Sequence, residues 1–100
     1  MKQFLIKYRH TNGTTEDWHQ EIAKFISAVD GDPELKGRIT YRCMKEKDSP
    51  NYYHIATAAD DQAIKALQQK EWFKHYTEKT KLVAGGEVQV SPLEIIAETK

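Results

Sequence analysis

The sequence predicts an α+β fold in which one four-stranded antiparallel sheet carries its helices on a single face. Four short segments are rich in β-branched and aromatic residues, and in most of them apolar and polar residues alternate, which is typical of strands. Two longer stretches repeat apolar residues at helical spacing. The predicted order is β-α-β-β-α(α)-β, which is the split βαβ or ferredoxin-like arrangement.

The first half of the chain contains two strands and one helix. Alternation predicts a strand from Gln3 to His10, with Phe4, Ile6, Tyr8 and His10 on one face. Thr14 or Thr15 is expected to cap the first helix, which ends in Asp30-Gly31-Asp32-Pro33. The buried stripe of this helix consists of Trp18, Ile22, Phe25, Ile26 and Val29. Arg38 to Glu46 is the second predicted strand, with Ile39, Tyr41 and Cys43 on one face.

The second half begins with a hairpin turn and a third strand from Tyr52 to Thr57. Asp60 is expected to cap a second helix, whose apolar positions are Ala63, Ile64 and Leu67. This helix should break near Lys70. Glu87 to Ile96 is the last predicted strand, and Pro92 marks an edge, a bulge or a break because proline cannot donate to a ladder.

An aromatic helix is predicted after Lys70. Positions 72, 73, 76, 80 and 83 share one face, and Trp72, Phe73 and Tyr76 provide its bulk. Gly85 and Gly86 then stop the helix. We expect this face to lie on the sheet as a lid, either as core or as the wall of a ligand pocket.

Composition narrows the class of protein. One hundred residues predict a single domain, residues 1–100. The 15 basic and 15 acidic residues form no basic stripe, which argues against nucleic acid as a partner. A lone Cys43 excludes an intrachain disulfide, and the four histidines lack metal-ligand spacing, so no metal site is expected. No apolar run reaches transmembrane length, so we expect a cytoplasmic protein without a membrane partner.

The order of elements and the segment from Ala63 to Tyr76 resemble the antibiotic-biosynthesis-monooxygenase-like family, a branch of the dimeric α/β-barrel superfamily. The motif is an alanine-led short helix followed by an aromatic pair, here Trp72-Phe73, that opens the next helix. The haem-degrading branch has a tryptophan and a histidine ligand at the positions where this chain has Leu67 and Thr77. The resemblance therefore implies a dimeric α/β barrel without haem.

The resemblance also implies a function. Members oxygenate a phenol or quinol without metal or flavin, so a small cofactor-independent monooxygenase acting on a quinol-like or polyketide-like aromatic is the leading hypothesis. Such chemistry needs a base, donors for the growing anion and a dry aromatic wall. The alternatives are a non-catalytic ligand-binding or stress-associated member, whose cavity would be lined only by apolar atoms, and an interaction module, whose cavity would be filled.

His54 is the candidate base, since histidine titrates near neutral pH. The alternative for His54 is a structural histidine bonded across a dimer seam. The expected substrate-binding residues are Tyr8, Arg42, Trp72, Phe73 and Tyr76. For the aromatic residues the alternative is ordinary core packing, and for Arg42 it is an ion pair at a sheet edge.

A homodimer is the expected assembly. With its helices on one face, the sheet has a second face that is partly apolar and needs cover. Two such faces packed together would close a symmetric dimer.

Overall fold

The computed structural model describes residues 1–100. It contains four strands and three helices in the predicted order. The strands are β1 (Lys2–Arg9), β2 (Ile39–Lys45), β3 (Asn51–Ala58) and β4 (Val88–Leu93). The helices are α1 (Thr15–Gly31), α2 (Asp61–Gln68) and α3 (Glu71–Val83). The α+β, ferredoxin-like prediction is confirmed.

The sheet has the strand order β2-β3-β1-β4, and every neighbouring pair is antiparallel. In β1, Ile6 lies opposite His54 of β3, and Tyr8 lies opposite Tyr52. Because side chains alternate along a strand, these residues all point to the face that carries the helices. The central strands therefore bring the aromatic and imidazole rings of distant segments together beneath the helices.

Side-chain caps begin the first two helices. The Thr14 hydroxyl accepts a hydrogen bond from the Asp17 backbone N–H at the start of α1. The Asp60 carboxylate accepts from the Ala63 N–H at the start of α2. Each cap satisfies a backbone donor that has no partner inside the helix. Of the two threonines considered from the sequence, Thr14 is the cap.

The break expected near Lys70 separates α2 from α3 at Gln69 and Lys70. Lys70 has extended backbone and precedes α3 without a side-chain cap. Its Nζ instead lies 3.1 Å from an Asp32 oxygen and 2.7 Å from a Glu34 oxygen. These contacts tie the junction of the two helices to the loop that follows α1.

The predicted boundary of the last strand was wrong. β4 ends at Leu93 rather than at Ile96, and it is the edge strand next to β1. Pro92 is tolerated inside β4 because an edge strand pairs on one side only. Beyond Leu93 the chain has no regular structure, and Ile95 and Ile96 are exposed.

The core lies between the helix-bearing face of the sheet and the helices. It is largely aromatic around Tyr8, Trp18, Phe25, Tyr52 and Tyr76, all of which are buried. Tyr76 of α3 is stacked on Phe25 of α1, with ring centroids 3.9 Å apart. This contact docks α3 against α1 and fixes how far α3 stands above the sheet.

Candidate functional site

A cavity of about 370 Å³ lies between the sheet and the two helices α2 and α3. Its lining is mostly hydrophobic, 12 of 18 residues, and it opens to solvent on one side. Phe4 and Ile6 form part of its floor, and Phe73 and Tyr76 of α3 form part of its roof. Gln68, Thr77 and Lys81 supply polar groups to its wall. A concave apolar site with a few polar groups is the usual form of a small-molecule site.

His54 contributes an imidazole ring to the wall of this cavity. The residue is 1% exposed, and its Nε2 lies 3.0 Å from the Tyr8 hydroxyl. The Tyr8 hydroxyl also accepts a hydrogen bond of 2.8 Å from the Trp18 indole N–H. Trp18 of α1, Tyr8 of β1 and His54 of β3 are thus joined by two buried hydrogen bonds. These bonds connect α1 to the cavity wall.

Burial determines the charge of His54. Desolvation lowers the pKa of its imidazole to about 4, because a low-dielectric surrounding disfavours the cation. The ring is therefore neutral at pH 7 and a weaker proton acceptor than an exposed histidine. The sequence predicted a base with a pKa near neutrality, and the lowered pKa departs from that expectation.

The polar groups around His54 at the inner end of the cavity are neutral hydroxyls and a thiol. Burial raises the pKa of Tyr41 and of Tyr76 above the ordinary tyrosine range. Burial also raises the pKa of Cys43 to about 11, although the neighbouring Tyr76 hydroxyl opposes this shift. The Tyr76 hydroxyl itself is buried without a hydrogen-bond partner. At pH 7 the inner wall thus carries hydrogen-bonding groups without a charge.

The aromatic helix is divided between two neighbours. Phe73 and Tyr76 face the cavity, and Tyr76 also stacks parallel to Trp18 with 5.7 Å between ring centroids. Trp72 packs against Phe25 of α1, with 5.9 Å between ring centroids, and is not part of the cavity wall. The two alternatives weighed from the sequence, core and pocket wall, are therefore realised by different residues of one helix.

Three of the residues predicted for the site line the cavity together: His54, Phe73 and Tyr76. Tyr8 stands behind His54 and reaches the cavity only through their hydrogen bond. Arg42 does not join them. It lies on β2 between Tyr41 and Cys43, so its exposed side chain points to the opposite face of the sheet. The prediction of Trp72 and Arg42 as cavity residues therefore has to be corrected.

The other histidines lie elsewhere. His19 Nε2 lies 2.7 Å from the Tyr52 hydroxyl on the side of α1. The His10 ring is tilted against Tyr52, and its Nε2 is buried without a partner. His54 bonds Tyr8 of the same subunit through its Nε2, so this nitrogen is satisfied without a partner subunit.

Sequence reasoning missed two contributors. Trp18 was predicted as packing only, yet its indole N–H is the first donor of the chain to His54. Its role depends on a contact with Tyr8 that no local pattern encodes. Tyr41 lines the cavity, and its strand parity with Ile39 and Cys43 could have indicated that.

None of the helices is long and apolar enough to cross a membrane.

The fold and cavity define an α+β ferredoxin-like protein with a small-molecule-sized space between the sheet and its helices. No protein-family model matches the sequence, and no curated protein matches it either. Solved structures do match across almost the whole chain. Because the sequence identities are low, this likeness establishes the fold alone.

Three of these structures show the range. SnoaB, a cofactor-independent oxygenase from Streptomyces nogalater studied as a single-site variant, aligns with a TM-score of 0.77 at 13% identity over 97% of this chain and 94% of its own. An antibiotic biosynthesis monooxygenase aligns with a TM-score of 0.77 at 9% identity over 97% of this chain and 100% of its own. Rv0793 from Mycobacterium tuberculosis aligns with a TM-score of 0.78 at 9% identity, covering 99% and 98% of the two chains. The resemblance to antibiotic biosynthesis monooxygenases is thus confirmed at the level of the fold.

Proposed function

We propose that this protein binds a small phenolic or quinol-like aromatic in the cavity and promotes its oxygenation by O2 without a metal or flavin. His54 is the proposed catalytic residue that meets the oxygen of the substrate, and Phe73 and Tyr76 hold its ring. Similarity of fold to a cofactor-independent oxygenase supports this class of reaction.

The observation that carries the proposal is the imidazole of His54 in the wall of an otherwise largely apolar cavity. Of the three hypotheses drawn from the sequence, an interaction module required a filled interior and a simple binding module an apolar lining. A cavity of about 370 Å³ with a histidine in its wall favours the enzyme. Phe73, which is half-buried, adds an aromatic ring to the wall against which a planar ring can pack.

The proposed reaction balances without a further reductant. A phenol and O2 give a quinone and water: one oxygen atom forms the new carbonyl, and the other leaves as water with two hydrogens of the substrate. The phenol supplies all four electrons. An ionised ring oxygen is the electron-rich form that passes an electron to O2, so a donor that stabilises this anion and a dry wall favour the reaction.

Oxygen consumption tests the proposal. Purified protein is incubated aerobically with a panel of hydroquinones and polycyclic phenols, and O2 uptake is recorded for wild type and for His54→Ala. We expect uptake by wild type with at least one substrate and a loss of about 100-fold in the variant, the usual scale for a residue taking part in proton transfer or oxyanion stabilisation. Uptake that His54→Ala leaves unchanged would exclude His54 from the reaction.

Binding without any uptake would favour the non-catalytic alternative. Fluorescence of Trp18 and Trp72 reports ligand binding independently of turnover, since Trp18 stacks on Tyr76 of the cavity wall. A matched control is Trp72→Phe, which removes the indole that lies outside the cavity.

We further propose that the protein works as a homodimer through the open face of its sheet. Leu5 and Ile55 lie opposite each other at the centre of that face and are half-buried. Met44 and Leu93 are exposed, and so are Ile95 and Ile96 in the segment after β4. Exposed apolar side chains on one sheet face favour association.

Light scattering coupled to size exclusion tests the dimer. We expect twice the monomer mass for wild type and the monomer mass for Ile55→Lys, because a lysine at the centre of the face would be buried without a partner. Lys7→Gln, an exchange of one exposed polar side chain for another on the same face, is the matched control and should remain dimeric. A monomeric wild type at micromolar concentration would refute this assembly.

A further inference from the structure

We propose that Trp18 and Tyr8 are positioning residues that hold His54 in the tautomer protonated at Nδ1, so that the cavity presents an N–H donor to a ligand oxygen that accepts, such as a phenolate, an enolate or a carbonyl. This inference rests on the proposed binding of an aromatic ligand in the cavity. It restricts the proposed substrates to molecules whose reacting oxygen accepts a hydrogen bond when it binds.

Trp18 fixes the direction of the first hydrogen bond. An indole nitrogen can only donate, so the bond of 2.8 Å from Trp18 Nε1 has a defined direction, with the Tyr8 oxygen as acceptor. The Tyr8 hydroxyl has one hydrogen of its own. Its other partner is His54 Nε2, at 3.0 Å.

Two arrangements of hydrogens are possible between Tyr8 and His54. If Tyr8 donates to Nε2, the Trp18 N–H, the Tyr8 hydroxyl and Nε2 all have partners, and the single hydrogen of the neutral imidazole must be on Nδ1, the nitrogen that remains for the cavity. If Nε2 carries the hydrogen instead, the Tyr8 oxygen accepts twice, and its hydroxyl hydrogen is buried without an acceptor. A fully enclosed donor without an acceptor costs about 1–3 kcal/mol, which favours the first arrangement by roughly fivefold to more than a hundredfold.

His54 Nδ1 is the ring nitrogen that remains for a ligand. It has no hydrogen-bond partner in the protein, and it is not among the fully enclosed polar atoms that lack one. Since His54 lines the cavity, the small exposed part of this ring faces that space. In the satisfied arrangement Nδ1 carries a hydrogen, so it donates and cannot remove a proton.

The consequence is a change of role for His54. A neutral imidazole N–H stabilises negative charge on a ligand oxygen in the manner of an oxyanion hole. The ring oxygen must then ionise without His54 as the base, which favours acidic phenols, enolised diketones and related anions over simple hydroquinones.

Nitrogen NMR on histidine-labelled protein measures the tautomer directly. Long-range ¹H–¹⁵N correlation distinguishes protonated from unprotonated ring nitrogens. We expect the Nδ1–H form of His54 in wild type and in Tyr52→Phe. The second variant is a matched control, because it removes a hydroxyl near Tyr8 that takes no part in the hydrogen bonds between Trp18, Tyr8 and His54. In Tyr8→Phe the Nε2–H form, which free histidine favours, should appear. An Nε2–H form in wild type, or an unchanged tautomer in Tyr8→Phe, would overturn the inference.

A ligand measurement tests the donor. The probe is 4-nitrophenol, whose anion absorbs visible light, titrated with protein across the pKa of the probe. We expect wild type to bind the anion about tenfold tighter than the phenol, which lowers the apparent pKa of the bound probe by about one unit. His54→Leu should reverse the preference, because an apolar cavity disfavours an anion. Lys81→Met separates the effect of the lysine in the wall: if that variant loses the anion preference while His54→Leu keeps it, the donor role is refuted.

Neither measurement depends on turnover. Absence of O2 uptake together with an Nδ1–H tautomer and a preference for the anion would refute the oxygenase proposal and retain this inference. O2 uptake by a protein whose His54 has the Nε2–H tautomer would support the oxygenase proposal and refute this inference.

Discussion

The Tyr8 hydroxyl joins the Trp18 indole to the His54 imidazole, with 2.8 Å on one side and 3.0 Å on the other. All three side chains are at most 6% exposed. The same oxygen thus links the packing of α1 on the sheet to the polar group of the cavity. A change at Tyr8 should therefore affect both the stability of the fold and the setting of His54 in the cavity wall.

Tyr8→Phe should destabilise the protein. The substitution keeps the ring that stacks on Tyr52 but leaves the Trp18 N–H buried without an acceptor. We expect the free energy of unfolding to fall by about 1–3 kcal/mol, measured by urea denaturation. Tyr52→Phe, whose hydroxyl bonds a histidine on the exposed side of α1, should cost less than about 1 kcal/mol. Equal losses in the two variants would contradict this account.

The free energy of unfolding should fall between pH 6.5 and pH 4 because of the titration of His54. Burial lowers its pKa from 6.5 to about 4 in the folded protein. Between these values the unfolded chain binds more protons than the folded one, so stability is complete above pH 6.5 and is lost as the pH falls toward 4. The loss should reach about 3 kcal/mol.

His54→Gln isolates this effect. The rings and thiol nearest to His54 in the sheet, Tyr8, Tyr41, Tyr52 and Cys43, have pKa values raised by burial and stay neutral throughout the window. Subtracting the stability of the variant from that of wild type at each pH therefore leaves the contribution of His54. A difference that does not vary between pH 6.5 and pH 4 would show that His54 is not buried as described.

Cys43 should react slowly with thiol reagents. The thiolate is the reactive form, and burial raises the pKa of this thiol from 9.0 to about 11. At pH 8 the folded protein therefore has about 100-fold less thiolate than an exposed cysteine, and modification by Ellman's reagent should slow at least in that proportion. Unfolding in urea should restore the rate. Rapid modification of the folded protein would contradict the burial of Cys43.

Gly85 and Gly86 allow a comparison of backbone strain with a side-chain clash. Both glycines have positive φ, +68° and +94°. A Cβ at Gly85 would lie 2.9 Å from Thr11 Oγ1, whose hydroxyl bonds the Val83 carbonyl, whereas a Cβ at Gly86 would meet nothing within 4 Å.

We therefore expect Gly86→Ala to cost about 1 kcal/mol, the ordinary penalty of the left-handed conformation. Gly85→Ala should cost roughly 1 kcal/mol more, because an unrelieved overlap adds to that penalty. Thermal unfolding of both variants measures the difference. Thr11→Ala in the Gly85→Ala background should recover part of the loss, and an absence of recovery would exclude the clash as its cause.

Local patterns were sufficient for the elements and their order. Helical spacing placed Trp18, Phe25 and Val29 on the buried stripe of α1, and Asp60 was recognisable as a cap because capping depends on residues within one turn. Alternation likewise placed Tyr8 on one face of β1 with Phe4 and Ile6, and the structure shows that this face carries the helices and meets His54 of β3. The end of β4 was missed because the end of an edge strand depends on how far its partner extends, and β1 begins at Lys2.

The sequence by itself determined the α+β class and which residues of each strand share a face, because these follow from periodicities of two and 3.6 residues. Only the tertiary structure decided which of those residues meet. It placed Arg42 on the far face, turned Trp72 toward α1 and brought the Trp18 indole onto the Tyr8 hydroxyl behind His54. Such contacts depend on the distance and angle at which α1 and α3 dock on the sheet, and that geometry is set by the packing of the whole core.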